Sequence, residues 1–95
     1  MVIINDKTHK IEDLLGSKAR VKILKVLALN GELSISLIIK KTKLNHSSVI
    51  KHLNYLRNIN FIQEKKFGRI RIYRYKVEDK KASSFKEFLR TYEAD

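Results

Sequence analysis

Hydrophobic residues fall along this chain in short stripes with helical spacing, followed by one alternating stretch. Ile11, Leu14 and Leu15 share a face of a short helix that Thr8 can cap and Gly16 can stop. Ser17 then caps a second helix, in which Ile23, Leu24, Leu27 and Ala28 keep the three-and-four spacing of a buried stripe and Asn30-Gly31 closes it. The two helices can also run together as one kinked helix. Glu32-Leu33-Ser34 reads as a short extended bridge. Ser34 or Ser36 caps a third helix that buries Leu37 or Ile38 with Ile39 and ends near Thr42. Lys43-Leu44-Asn45 makes a tight turn with Leu44 inward, and Asn45 caps a longer helix with Val49, Leu53 and Leu56 as its apolar seam. Asn60 suits a left-handed stop.

The period then changes. Phe61 to Lys66 and Ile70 to Val77 are β-rich and joined across Phe67-Gly68-Arg69, the pattern of a hairpin. Tyr73 and Tyr75 alternate with Arg74 and are assigned to the core, against the preceding helix. Ser83 or Ser84 caps a last helix, on which Phe85, Phe88, Leu89 and Tyr92 are spaced for one side. The expected fold is α+β and mainly α, a single winged helix-turn-helix domain over 1–95. Its motif helices lie at about 35–60, a two-stranded wing at about 61–77 and a C-terminal helix at about 83–94.

Composition narrows the class. At 95 residues and 43% hydrophobic, the chain supports one modest core, which association often reinforces; a dimer is therefore expected. With no cysteine it has no disulfides, thiolate metal sites or cysteine nucleophiles. Met1-Val2-Ile3-Ile4 is too short for a signal segment, and no apolar run could span a bilayer, so residence in the cytoplasm away from membranes is expected.

Charge decides the partner. Between Lys40 and Lys76 there are eleven Lys/Arg and one acid, Glu64, which concentrates +10 of the chain's +11 in the motif and wing. Such a field attracts a polyanion. On the helix opened by Asn45, Ser47, Lys51, Asn54 and Asn58 lie opposite the apolar seam at about 100° per residue, flanked by Ser48 and Tyr55. Solvated helix faces usually mix both signs of charge, whereas this face has amides, hydroxyls and a lysine but no carboxylate, a set that suits the major groove. Around Gly68, Lys65, Lys66, Arg69 and Arg71 place cations where acids would be equally soluble, as a minor-groove or phosphate contact requires. The competing account is an edge hairpin kept soluble by charge.

Catalysis finds no support. His46-Ser47-Ser48 are neighbours that point different ways, no pair of acids brackets a cleft, and there is no Gly-rich phosphate loop. His46 and His52 are six apart and do not share a helix face, His9 is remote, and carboxylates are scarce, so no metal and no cofactor is expected. His46 is assigned to phosphate or base contact.

Residues 14–75 resemble the winged-helix repressors of the arsenical-resistance (ArsR) type, in their small archaeal form. The resemblance is carried by Leu15-Gly16-Ser17-Lys18-Ala19-Arg20 leading into Ile23-Leu24, and by Leu44-Asn45-His46-Ser47-Ser48-Val49 with His52-Leu53 and Leu56. Asn60-Phe61-Ile62 and the wing Phe67-Gly68-Arg69 to Tyr73-Arg74-Tyr75 complete it. Family metal sensors carry two cysteines where this chain has Ser34 and Ser36; hydroxyls do not replace thiolates toward a soft ion, so arsenic or antimony sensing there is excluded. Ile50 stands where the family often has serine, and Asn60 where it has glycine. His52 matches a position the family retains, which implies a hydrogen-bonded structural role.

The stripe Phe85, Phe88, Leu89 and Tyr92 is large for a terminal helix and predicts pairing between two copies, the competing account being packing onto its own domain. The resemblance implies Ile11, Leu14 and Leu15 as its partners in that dimer face, which would present two recognition helices about 34 Å apart. The expected function is a sequence-specific, double-stranded DNA-binding transcriptional regulator, a homodimeric repressor. Ser47, Ser48, Lys51, Asn54 and Tyr55 would read bases with Asn45 and His46 at the helix start, while Lys40, Lys41, Lys43, Lys65, Lys66, Arg69 and Arg71 would hold phosphates. The alternatives are an architectural DNA-coating protein of low sequence preference and a winged-helix protein-interaction module.

Overall fold

Helix ends in this chain are set by side chains that satisfy the first free backbone N–H groups. In the computed structural model, which describes residues 10–94, α1 (Ile11–Leu14) is a single turn; the expected Thr8 cap lies outside the described residues. Ser17 Oγ accepts from Arg20 N and opens α2 (Lys18–Asn30) as a separate helix. Gly31, at φ 85°, ends α2 with its N–H on Leu27 O. Strand β1 (Glu32–Ser34) follows, and Ser34 rather than Ser36 caps α3 (Ile35–Thr42). Ile38 is the fully buried apolar residue of α3, while Leu37 faces out. Asn45 caps α4 (His46–Asn58) through Ser48 N. Asn60 is left-handed at φ 69°, as its position after α4 requires.

Strands β2 (Ile62–Phe67) and β3 (Ile70–Tyr75) pair antiparallel from Ile62↔Tyr75 to Phe67↔Ile70, so Phe67 belongs to the strand and Gly68-Arg69 alone make the turn. Gly68 has φ 63°, at the first central position of a two-residue hairpin loop, where glycine is favoured. The expected bridge at 32–34 proves to be a third strand: β1 pairs with β3 through Glu32↔Arg74, Leu33↔Tyr73 and Ser34↔Ile72, giving the order β1-β3-β2. Three residues carry too little alternation to reveal a strand, and their partner lies forty positions away.

The last helix differs most from expectation. α5 spans Lys80–Tyr92 and is capped by Asp79, whose carboxylate accepts from Ala82 N; Ser83 and Ser84 lie inside it. Its apolar stripe is divided. Ala82 and Leu89 are buried and Phe85 packs against the core, whereas Phe88 and Tyr92 face outward with their rings stacked 5.6 Å apart. Leu14 is likewise buried, so Leu14 and Leu89 are occupied within their own domain. A wide stripe on a terminal helix can cover its domain with one edge and leave the other free.

The core gathers α2, the inner faces of α3, α4 and α5, and the inner face of the sheet around Ile23, Leu24, Leu27, Val49, Leu53, Leu56, Tyr73 and Tyr75. Both tyrosines are buried with their hydroxyls satisfied: Tyr75 donates to Ala82 O at 2.6 Å and Tyr73 to Glu64 Oε2 at 3.3 Å. Burial pushes the Tyr75 phenol well above its ordinary pKa.

Candidate nucleic-acid interface

The turn between α3 and α4 fixes how the recognition helix is presented. Thr42 Oγ1 donates to Ile38 O and accepts from Leu44 N, while Lys43 adopts the left-handed conformation at φ 61° with its N–H on Ile39 O. Leu44 then packs against the core and Asn45 starts α4. Lys40, Lys41 and Lys43 all stand exposed beside that start.

Along α4, Val49, Leu53 and Leu56 are fully buried, and His46, Ser47, Lys51, Asn54 and Asn58 are exposed. Ser48 is half-buried. Asn45 and Ser47 are partly engaged with each other, since Ser47 Oγ donates to Asn45 Oδ1 at 3.2 Å; the cap amide is therefore a structural group first. The exposed face carries no carboxylate.

Tyr55, expected to flank this face, has another partner. Tyr55 is half-buried under Arg20, whose guanidinium carbon sits 3.6 Å from the ring centroid. Arg20 also donates from Nε to His52 Nδ1 at 3.3 Å and from a terminal nitrogen to Asp13 O. Burial, with the nearby charges of Arg20 and Lys51, holds the buried His52 imidazole below its ordinary pKa. The structural role expected for His52 thus has a partner, Arg20, which lies thirty-two residues away in sequence.

The wing carries the second divergence. Arg71 donates from Nε to Glu64 Oε2 at 2.9 Å, and Arg57 pairs with Glu64 Oε1, so Arg71 is an internal partner rather than a free phosphate ligand. Lys65 lies 3.5 Å from Glu32, an exposed pair of small energetic weight. Lys66 and Arg69 are exposed at the hairpin end. Burial alone would raise the Glu64 carboxyl, but the Arg71 hydrogen bond and the charges of Arg71 and Arg57 outweigh it and hold the pKa below its usual range. Arg57 and Glu64 were not among the expected site residues. Their one sequence signal is that Glu64 is the lone acid of the basic stretch.

A helix-turn-helix with an exposed acid-free second helix and a basic hairpin beside it is a duplex-binding arrangement. The model of the bacterial regulatory protein arsR family matches residues 17–64, the span from the Ser17 cap to Glu64. The chain belongs to the ArsR family. It is a DNA-binding transcriptional regulator with a winged helix-turn-helix.

An uncharacterised HTH-type transcriptional regulator of Methanocaldococcus jannaschii is 32% identical over 75 residues, covering 79% of this chain and 83% of that relative. Among solved structures, HlyU from Vibrio cholerae matches the ArsR-family fold with a TM-score of 0.78 at 21% identity over all of both chains. The transcriptional repressor BigR from Xylella fastidiosa matches with a TM-score of 0.71 at 16% identity, covering 99% of each. The family and these relatives are regulators, not enzymes. Among the described residues no helix is long and apolar enough to cross a membrane, and no group of three His, Asp or Glu is arranged to hold a metal ion.

Proposed function

We propose that this ArsR-family chain is a sequence-specific repressor that binds its operator as a two-fold homodimer in the cytoplasm. Ser47, Ser48, Lys51 and Asn54 meet base edges in the major groove, with His46 at the helix start. Lys40, Lys41, Lys43, Lys66 and Arg69 grip the bordering phosphates, and Lys65 assists from within its ion pair. Tyr55 and Arg71 support the interface through Arg20 and Glu64 rather than by touching DNA.

The observation that carries this is the exposed face of α4, where amides, hydroxyls and one lysine stand without an acid. The proposed dimer uses Ile11 and Leu15 with Phe88 and Tyr92, and Phe85 along the edge. All four of the first group are exposed, at 59%, 42%, 56% and 74%. Each is apolar or aromatic, and an unpartnered set of this kind at both chain ends favours association.

Selection of bound sequences from a random duplex pool tests the proposal. A repressor of this form enriches a near-palindrome with half-sites about 10 base pairs apart. A pool that shows no enrichment while binding continues identifies a DNA-coating protein instead.

A further inference from the structure

Glu64 is the one acid among eleven cations between Lys40 and Lys76, and it sits where the recognition helix meets the wing. Three donors from two elements, α4 and β3, converge on it. Arg57, in the last turn of α4, pairs with Oε1; Arg71 from β3 donates to Oε2 at 2.9 Å; and the Tyr73 hydroxyl donates to the same oxygen at 3.3 Å. The carboxylate is only 10% exposed, while the side chains of Arg57 and Arg71 remain 44% and 33% exposed. The acceptor is thus covered and its two guanidinium partners are not.

A carboxylate and a phosphate offer guanidinium the same paired-oxygen geometry. Arg71 is held to Glu64 by its Nε and Arg57 by one terminal nitrogen, so part of each fork is committed to the carboxylate and closed to a phosphate. Without Glu64, Arg57 and Arg71 would add two mobile cations to the junction of helix and wing. Each would neutralise one backbone phosphate of any sequence, adding about 0.9 to the salt slope of duplex binding. Phosphate contacts of that kind raise affinity without reading bases.

We propose that Glu64 is a specificity-determining residue, which acts as an internal substitute for phosphate and withholds Arg57 and Arg71 from indiscriminate backbone binding. The proposal rests on the DNA-binding reading of the same surface. Glu64 positions rather than contacts: it touches no base, and its effect appears in the ratio of operator to random-duplex affinity.

Glu64→Gln removes the charge and keeps the shape. Binding of the full chain to a random duplex is measured between 50 and 200 mM salt, for the parent and for the variant. One or two released arginines steepen the slope by about 0.9–1.8 units, so over that fourfold salt range the variant loses roughly three- to twelvefold more affinity than the parent. At the low-salt end it binds random duplex more tightly, and its preference for a selected operator narrows. Mere loss of a structural ion pair would weaken binding and leave the slope alone, and that result overturns the proposal.

The triple variant Arg57→Met, Glu64→Gln, Arg71→Met leaves no charged group in the cluster and decides the matter should Glu64→Gln fold poorly. Arginines already withheld in the parent predict a triple-variant slope equal to the parental one. A slope lower by one to two units means that they already touch phosphate, and the proposal fails. A parent that shows no salt-dependent duplex binding overturns the DNA-binding reading itself, a result distinct from either of these.

Discussion

Lys43 shows how single residues balance fold against function. At φ 61° it occupies the left-handed position after α3, where a side chain costs roughly 1 kcal/mol and glycine would not. A lysine there supplies a cation at the mouth of α4, which glycine could not do. Local rules of this kind made several positions legible: Ser17 and Asn45 cap helices as their side chains require, and Asn60 takes the left-handed stop. Arg20 was opaque, because its meaning depends on His52 and Tyr55, which reach it only through packing of α2 on α4. The His52 imidazole also gives a prediction of sign. Its folded pKa lies below the ordinary value of about 6.5, so below that pH the unfolded chain binds more protons than the folded one. The contribution of His52 is therefore fully present above pH 6.5 and is lost as pH falls toward its folded pKa. Thermal melts from pH 7.5 to 5 should show a steeper acid loss in the parent than in His52→Gln, which retains an acceptor for Arg20 Nε. Parallel profiles would mean that His52 titrates alike in both states.

Helices with strong stripes could be read from spacing alone, and α2 and α4 bury the seams expected of them. The elements misjudged are those whose identity depends on distant partners. β1 becomes a strand because Leu33 lies opposite Tyr73, and α5 starts at Lys80 because Asp79 captures Ala82 N before either serine can act as a cap. The same helix shows why four apolar residues at helical offsets need not share one fate. α5 packs on α2 with Ala82 and Leu89 buried, while Phe88 and Tyr92 stay exposed. Their stacked pair is the outward feature that self-association would cover. Phe88→Asp should therefore give monomers in sedimentation velocity with the melting behaviour of a folded domain. A persistent dimer would exclude α5 from the interface.

Across the whole molecule, two surfaces separate the two tasks of a regulator. The termini, nearly balanced in charge, present exposed apolar groups at Ile11, Leu15, Phe88 and Tyr92. The middle of the chain presents Lys40, Lys41, Lys43, Lys51, Lys66 and Arg69 to solvent, with its single acid turned inward onto Arg57 and Arg71. Net charge was visible in the sequence. Its division into exposed cations and cations already matched was not, since Glu64 finds its partners only when α4, β2 and β3 are assembled. In the proposed complex, long-range attraction comes from the exposed set, and choice of sequence from the outer face of α4.

Lys51 stands at the centre of that face, and its removal tests the account most directly. Lys51→Ala and the parent are titrated at one salt concentration against a duplex selected by the parent and against random duplex of equal length. Loss of a base contact predicts about 1–3 kcal/mol weaker binding to the selected duplex, roughly five- to 150-fold, with little change on random DNA. Equal affinities of variant and parent for both duplexes would contradict the assignment of α4 to the major groove.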